Sequence, residues 1–370
     1  MRTAGLKKWR ILLIICCCYL LLKVVINAEP VISVRDGKLS VGLFNFYKRP
    51  EINAVDFNFA IMPILSISPF ETDLTSKKAL PPFSRDTKKV FHLMGTDHLG
   101  RDVFAGFVSG FELAILISLV VGLLCSMITL LLGGVGAYYE RFPVRTGIVK
   151  IFVLAILNLC LIINIAWYFL EIISILQMSL VVIVLCVTAL VIYKIPFKKE
   201  KARYEIPIAA FNRRLQEFFQ PIPDLILLML FVAILNDMSL LGLFFILILL
   251  RIPSGSYFMQ GIATQFVSNA HIDQARVLGL PDRRILAKHL YPLMLPGAGI
   301  FMVLTASRAV LSESALAFLG IGPTGDYMSW GVMIRLGLTN LNMWWVSFFP
   351  IAGLVILSLT YQKIVTNLSD

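Results

Sequence analysis

Few residues in this chain have the types and spacing that catalysis requires. The four histidines contain no zinc-protease pairing, and the sequence has neither a Gly-x-Ser-x-Gly elbow nor a glycine-rich phosphate loop for ATP. The six cysteines all lie in apolar runs, where small packing residues are expected rather than metal ligands or disulfides. We therefore predict that the chain is not an enzyme and uses no metal or cofactor.

One polar stretch, over residues 273–296, instead has the residue types of a docking segment. Its helix formers are followed by Gly279, which permits a left-handed turn, and by Asp282, which can cap a second helix. Because it lies between two strongly apolar runs, we expect it in a cytoplasmic loop that a soluble partner could bind. The alternative is an ordinary solvated amphipathic loop. The candidate residues are Asp273, Gln274, Ala275, Arg276, Gly279, Asp282 and Arg283.

The elements that position this stretch are predicted to be membrane helices. The chain of 370 residues is 58% apolar and only 15% charged, with a mean hydropathy of +0.84. Soluble domains carry roughly a quarter charged residues, and long apolar runs in lipid must be helical. The net charge of +11 falls in short clusters beside apolar runs, which indicates cytoplasmic loops rather than nucleic-acid binding. The predicted class is an all-α polytopic membrane protein.

The apolar runs and basic clusters predict about eight helices with both termini in the cytoplasm. Residues 211–220 are expected to form an amphipathic helix along the inner surface, residues 222–250 two helices, and residues 320–342 an external loop. A cleavable signal peptide is the alternative to a retained first helix. Three units are predicted before residue 141: an N-terminal transmembrane helix at residues 1–27, an external segment at 28–110 and a second transmembrane helix at 111–140. Residues 141–210 are predicted to form an inserted transmembrane hairpin followed by a cytoplasmic segment rich in lysine and arginine. Residues 211–370 are predicted to form a core that contains the cytoplasmic loop 260–292.

Three blocks of sequence carry a family resemblance. Residues 95–103 read G-T-D-H-L-G-R-D-V, residues 273–279 follow an acidic, small-residue and glycine pattern, and residues 313–322 read E-S-A-L-A-F-L-G-I-G, followed by S-W-G at 329–331. In this order they resemble the C-type permease subunits of ATP-binding-cassette importers for dipeptides, oligopeptides and nickel. The resemblance covers residues 62–140 and 211–362. Asp273 and Gln274 depart from the Glu and Ala that begin the family's loop motif.

The resemblance implies an importer type I permease fold with an extra helical hairpin, in the bacterial cytoplasmic (inner) membrane. The chain would form half of a path for peptides or a related small solute, and its loop would couple to ATP hydrolysis by another protein. The implied partners are two ATPase subunits, a second homologous permease, an extracytoplasmic solute-binding protein and the lipid bilayer. The alternatives are a stand-alone secondary transporter and a membrane-embedded enzyme.

Two further groups have alternative roles. The first group is a turn at residues 95–102, which we call the external turn. It either lies at the mouth of the path, against the binding protein, or forms an ion-pair and cap network that holds the loop on the second helix. Arg308 and Glu313 lie in an apolar helix and must face protein or water, either along the path or as a structural ion pair. The residues of the turn are Gly95, Asp97, Gly100, Arg101 and Asp102.

Overall fold

The computed structural model describes residues 32–35, 38–41, 59–61, 79–86, 91–143, 145–146, 204–205, 208–234, 239–322 and 328–369. The predicted first helix and the predicted hairpin over residues 147–193 lie outside the described residues. The helices are α1 (Val103–Arg141), α2 (Ile208–Phe219), α3 (Asp224–Ile234), α4 (Leu240–Val267), α5 (Ala270–Val277), α6 (Asp282–Ile285), α7 (Tyr291–Phe318), α8 (Trp330–Leu338) and α9 (Trp344–Ser369), with a π-helix over Leu286–Leu290 and a 3-10 helix over Leu341–Met343.

Among the described residues, four helical segments are long and apolar enough to cross a bilayer, and a bent pair could form a fifth span. The four are Val103–Arg141, Leu240–Val267, Asp282–Phe318 and Leu341–Ser369. The predicted all-α membrane class is therefore confirmed. The count of eight helices remains a prediction.

Helix α1 is the central rod of the bundle. It begins at Val103 because the Asp102 carboxylate caps it, accepting a hydrogen bond from the Ala105 backbone N–H at 2.7 Å. It continues to Arg141, a length of about 58 Å against roughly 30 Å of hydrocarbon. The exposed residues along its middle are all apolar, which fits a surface in contact with lipid. They are Leu119, Leu123, Leu124, Met127, Leu131 and Leu132.

Glycines allow α1 to pack closely against its two main neighbours, α4 and α7. A Cβ at Gly133 would collide with Met259 of α4, and a Cβ at Gly122 would lie 2.9 Å from the Met302 carbonyl oxygen of α7. Small residues at such crossings let helix backbones approach and gain van der Waals contact, which is the main driving force for association in lipid.

A broken span precedes α4. Helix α2 confirms the predicted amphipathic helix near residues 211–220, and α3 leaves it at an angle of 86°. The predicted division of residues 222–250 is also seen, because α3 ends at Ile234 and α4 begins at Leu240. With only 11 residues, α3 rises about 16 Å, so it crosses about half of a bilayer.

The segment predicted as an external loop over residues 320–342 contains a helix, α8, and the prediction is wrong there. The Ser329 hydroxyl caps α8, accepting from the Val332 N–H at 3.3 Å. Trp330 is 2% exposed, stacks on Phe107 and donates from its indole N–H to the Phe107 carbonyl at 2.9 Å. Burial of this side chain against α1 fixes a short helix that its own sequence pattern does not indicate.

Short strands lie outside the bundle. Strands β1 (Ile32–Arg35), β2 (Lys38–Val41) and β3 (Phe59–Ile61) form an antiparallel sheet with β1 in the centre, and β4 (Ser84–Arg85) pairs with β5 (Phe91–His92). Strands β6 (Arg145–Thr146) and β7 (Tyr204–Glu205) pair with each other. This last pair brings residues 145–146, after α1, next to residues 204–205, before α2.

Candidate functional site

The polar stretch folds as two short helical limbs joined by a tight turn. We call residues 268–290 the basic loop; it comprises α5, the turn, α6 and the π-helix. Gly279 has φ +75°, so the predicted left-handed turn is confirmed. Ile272 and Ile285, one on each limb, are fully buried in a cluster with Tyr138 and Met294. The loop is therefore packed on the bundle.

Two polar contacts fasten the basic loop to the end of α1, one on each limb. The Arg141 guanidinium bonds to the Asp273 carboxylate at 2.8 Å, and the Tyr138 hydroxyl donates to Asp282 at 2.7 Å. Arg276 lies over the Phe142 ring at 4.1 Å from the ring centre, a cation–π contact. Both limbs and the end of α1 are thus joined as one unit.

These contacts correct one expectation. Asp282 is not the cap of the second limb, because Pro281 occupies that position and the Asp282 side chain turns to Tyr138. Tyr138 itself is fully buried. The sequence does not reveal this pairing, because the two residues lie 144 positions apart.

The outer surface of the basic loop is an apolar tip with a basic rim. Val277 is 88% exposed and Leu278 is 79% exposed, although both are apolar. Of the predicted loop residues, Ala275 is buried, Asp273 and Asp282 are half-buried, and the other four are exposed. Sequence reasoning missed the tip; the signal was an apolar pair before the glycine of an otherwise polar stretch. The exposed polar residues around it are Gln274, Arg276, Arg283 and Arg284.

At the opposite end of α1, the external turn forms a connected network. The Asp97 carboxylate accepts from the backbone N–H groups of Leu99 and Arg101, and from the Arg101 side chain at 2.9 Å. Asp102, besides capping α1, lies 2.7 Å from His92 Nδ1. Both carboxylates are buried, and their bonds within the turn favour the ion-pair and cap role over direct contact with a partner.

The two intramembrane charges occupy different environments. Glu313 is 3% exposed and is hydrogen-bonded by the hydroxyls of Ser314 and Ser329, at the junction of α7 and α8. Arg308, on the same helix, is exposed on the surface of the bundle. Glu313 thus joins α7 to the start of α8 through its hydrogen bonds, whereas the exposed Arg308 is accessible to a ligand or partner.

A cavity of about 720 Å³, lined by both polar and apolar side chains, lies beside the inner half of α4. At its edge, Glu140 of α1 bonds to Arg213 of α2 at 3.0 Å and to Gln260 of α4 at 3.1 Å. Gln260 also accepts from Asn212, so this network joins α1, α2 and α4. The exposed middle of α1 is wholly apolar, but here an exposed helix surface is mixed. It therefore suits water, a solute or a partner better than lipid. The polar lining includes Glu140, Arg213, Gln216, Ser254, Thr264 and Gln265.

Comparison with known proteins finds a matching family and several similar transport proteins. Residues 205–369 match the family described as binding-protein-dependent transport system inner membrane component. The chain is 27% identical over 161 residues to the oligopeptide transport system permease protein OppC of Bacillus subtilis, covering 42% of this chain and 52% of that protein. It is 33% identical over 94 residues to the dipeptide transport system permease protein DppC of the same organism, covering 25% and 29%.

A putative peptide transport system permease protein of Brucella suis is 29% identical over 120 residues, which are 32% of this chain and 40% of that protein. The chain therefore spans about half or less of the length of these relatives. The relatives share the peptide permease description, and all are named as transport proteins rather than enzymes.

Proposed function

Because residues 205–369 match the family described as binding-protein-dependent transport system inner membrane component, we propose that this chain is a permease subunit of an ATP-binding-cassette importer. It forms one half of a translocation path for peptides or a related small solute. The basic loop couples that path to ATP hydrolysis by a separate protein.

The observation that carries this proposal is the exposed apolar tip of the basic loop. Apolar side chains as exposed as Val277 and Leu278 gain free energy when a partner covers them, at about 25 cal/mol per Å². The rim of Arg276, Arg283 and Arg284 adds positive charge for orientation. The tip lies at the end of the bundle where arginines and lysines gather, and the positive-inside rule places that end in the cytoplasm. Its partner is therefore a cytoplasmic protein, which we propose is the ATPase.

The anchors of the loop give the coupling its mechanism. When the ATPase subunits close, they displace the tip, and a loose loop would absorb that displacement. Here Asp273 and Asp282 are bonded to Arg141 and Tyr138, so the end of α1 moves with the tip. Helix α1 packs on α4 and α7, and its displacement therefore repositions the helices beside the cavity. Alternating access follows if this movement closes the inner opening.

The proposed assembly needs more than this chain. A second homologous permease would cover the mixed surface of α4, two ATPase subunits would bind the two basic loops, and a solute-binding protein would deliver solute outside. On the external side, Phe83 is 71% exposed with φ +61°, and its ring lies 6.5 Å from that of Phe91. This strained, exposed aromatic pair is the external surface that we assign to the binding protein.

The first test is co-purification of the ATPase. The tagged chain is expressed with its neighbouring transport genes and purified in mild detergent, as wild type and as Leu278→Asp. Wild type should retain an ATPase that carries a phosphate loop. The amount of ATPase that co-purifies with the variant should fall about tenfold or more, because an unpaired carboxylate is costly to remove from water into an apolar contact.

The matched control is Asn367→Asp, which adds the same charge at the inner end of α9, away from the tip. It should retain the ATPase. Equal retention by Leu278→Asp and wild type would contradict the assignment of the tip as the coupling surface. A wild-type chain that is monodisperse but binds no ATPase would favour a stand-alone secondary transporter or a membrane enzyme.

A further inference from the structure

A group of charged side chains lies within the membrane, at the break between α2 and α3. Arg251 of α4 is buried, with 13% of its side chain exposed, and bonds to the Asp224 carboxylate at 2.8 Å. Asp224 is the first residue of α3, directly after the bend of 86°. Arg308 of α7 lies within electrostatic range of Arg251 and is exposed. The group therefore holds two guanidinium cations and one carboxylate.

The depth of this group excludes a surface role. Arg251 lies about 16 Å along α4 from its outer end at Leu240, and Arg308 lies about 15 Å along α7 from its outer end at Phe318. Both are thus in the hydrocarbon region, where an arginine that faces lipid costs at least about 2.5 kcal/mol. The exposed Arg308 must therefore face water, a solute or a partner.

One face of α4 connects this group to the inner cavity. Arg251, Ser254, Phe258, Gly261 and Gln265 follow each other at spacings of three and four residues, so they lie on one side of α4. The last four line the cavity, and the Ser254 hydroxyl donates to the Arg251 carbonyl at 3.2 Å. No atom lies within 4 Å of where a Cβ of Gly261 would stand, so this face is open. Arg251, a member of the charged group, lies at the outer end of this face, about one helical turn from Ser254.

We infer that Arg308, together with Arg251, binds the carboxylate of the transported solute at the head of this cavity. This rests on the proposed function, since a peptide-like solute carries a C-terminal carboxylate. A guanidinium offers a planar pair of donors that matches a carboxylate, and its attraction is strong where water is scarce. With two guanidinium groups and the single carboxylate of Asp224, the group keeps one net positive charge for the solute carboxylate. The amide and hydroxyl groups along the cavity suit a peptide backbone.

The test uses a reporter cysteine in the intact complex. Ser254→Cys is introduced into the chain, which is expressed with its partners in inside-out membrane vesicles. Its labelling rates are measured with an anionic and a cationic methanethiosulfonate reagent, the sulfonatoethyl and trimethylammonioethyl forms. The site predicts faster labelling by the anionic reagent. Arg308→Gln should lower the ratio of anionic to cationic rates by about tenfold, and Arg308→Lys should preserve it.

A second reporter separates a local charge from a general effect. Gln265→Cys lies about 21 Å along α4 from Arg251, beyond the Debye length of about 8 Å at physiological salt. Its rate ratio should be insensitive to Arg308→Gln. The chain without a reporter cysteine sets the background labelling.

Protection experiments then test the ligand. Millimolar trialanine should slow labelling of Ser254→Cys at least about threefold, trialanine amide should not, and Arg308→Gln should abolish the difference. The inference is overturned if both peptides protect equally, if neither protects, if Arg308→Gln leaves the rate ratio unchanged, or if the reporter is unreactive with both reagents. Failure of the proposed function is a separate result, namely loss of ATPase from the wild-type complex.

Discussion

Single hydrogen bonds decide how firmly the basic loop is held, and Tyr138 contributes more to this than Arg141. The Tyr138 hydroxyl is buried and bonds to a carboxylate, a type of bond that contributes about 1.5–3 kcal/mol. The Arg141–Asp273 pair is 37% and 45% exposed, so solvent screening limits it to about 0–1 kcal/mol. We expect Tyr138→Phe to speed amide hydrogen exchange over residues 270–290 about tenfold or more, and Arg141→Gln to speed it only a few-fold.

Hydrogen exchange measured by mass spectrometry on the purified complex checks this order. Exchange in the outer half of α9, which does not contact the loop, is the internal control. Equal acceleration by the two variants would mean that the hydroxyl of Tyr138 has no special part in fastening the loop.

The sequence predicted individual conformations at this site better than partnerships. The need for a left-handed residue at Gly279 follows from its local pattern, and the structure has it. The role of Asp273 could not be read in this way, because its partner Arg141 is 132 residues distant and stands among residues that mark a membrane boundary. Arg251 was missed because it lies inside a long apolar run, where its pairing with Asp224 depends on the bend between α2 and α3.

At the scale of elements, the packing of α8 on α7 depends on Gly331. A Cβ at this position would collide with the Ser314 carbonyl and lie 2.9 Å from the Ala317 Cβ. We expect Gly331→Ala to destabilise the protein by about 1–3 kcal/mol, because the backbones must separate. Thermal unfolding in detergent measures this. Gly322→Ala is the matched control, since its nearest neighbour would be 3.8 Å away. Similar melting temperatures for the two variants would refute the close approach of α7 and α8.

Long elements were predictable from sequence, and short ones were not. The helices α1, α7 and α9 lie where sustained apolar runs indicated spans, because the bilayer itself enforces their length and hydrogen bonding. Helix α8 has only nine residues, and its formation depends on Trp330, which is buried against Phe107 on another helix. A pattern so short carries no reliable period, so the element was expected to be a loop.

At the scale of the whole molecule, the chain is a multi-pass protein of the inner membrane. The family match over residues 205–369 and the helices long enough to cross a bilayer both support that prediction. The two ends of α1 then have different tasks. Its outer end is capped by Asp102, the turn before it is held by the bond from the Trp345 indole to the Thr96 carbonyl, and its inner end holds the basic loop. Under the proposed function, a displacement of the loop would reach a helix whose outer end is held in place.

This arrangement depends on which end of α1 faces the cytoplasm, and charge decides it. Arg141, Arg276, Arg283, Arg284 and Lys288 gather at one end of the bundle, which the positive-inside rule places in the cytoplasm. At the other end, the charges of Asp97 and Arg101 balance. We expect a membrane-impermeant maleimide to label Phe83→Cys in intact spheroplasts, and Lys288→Cys only after permeabilisation. Both side chains are exposed, so access rather than burial controls labelling. The reverse pattern would place the basic loop outside the cell, where no ATPase could reach it.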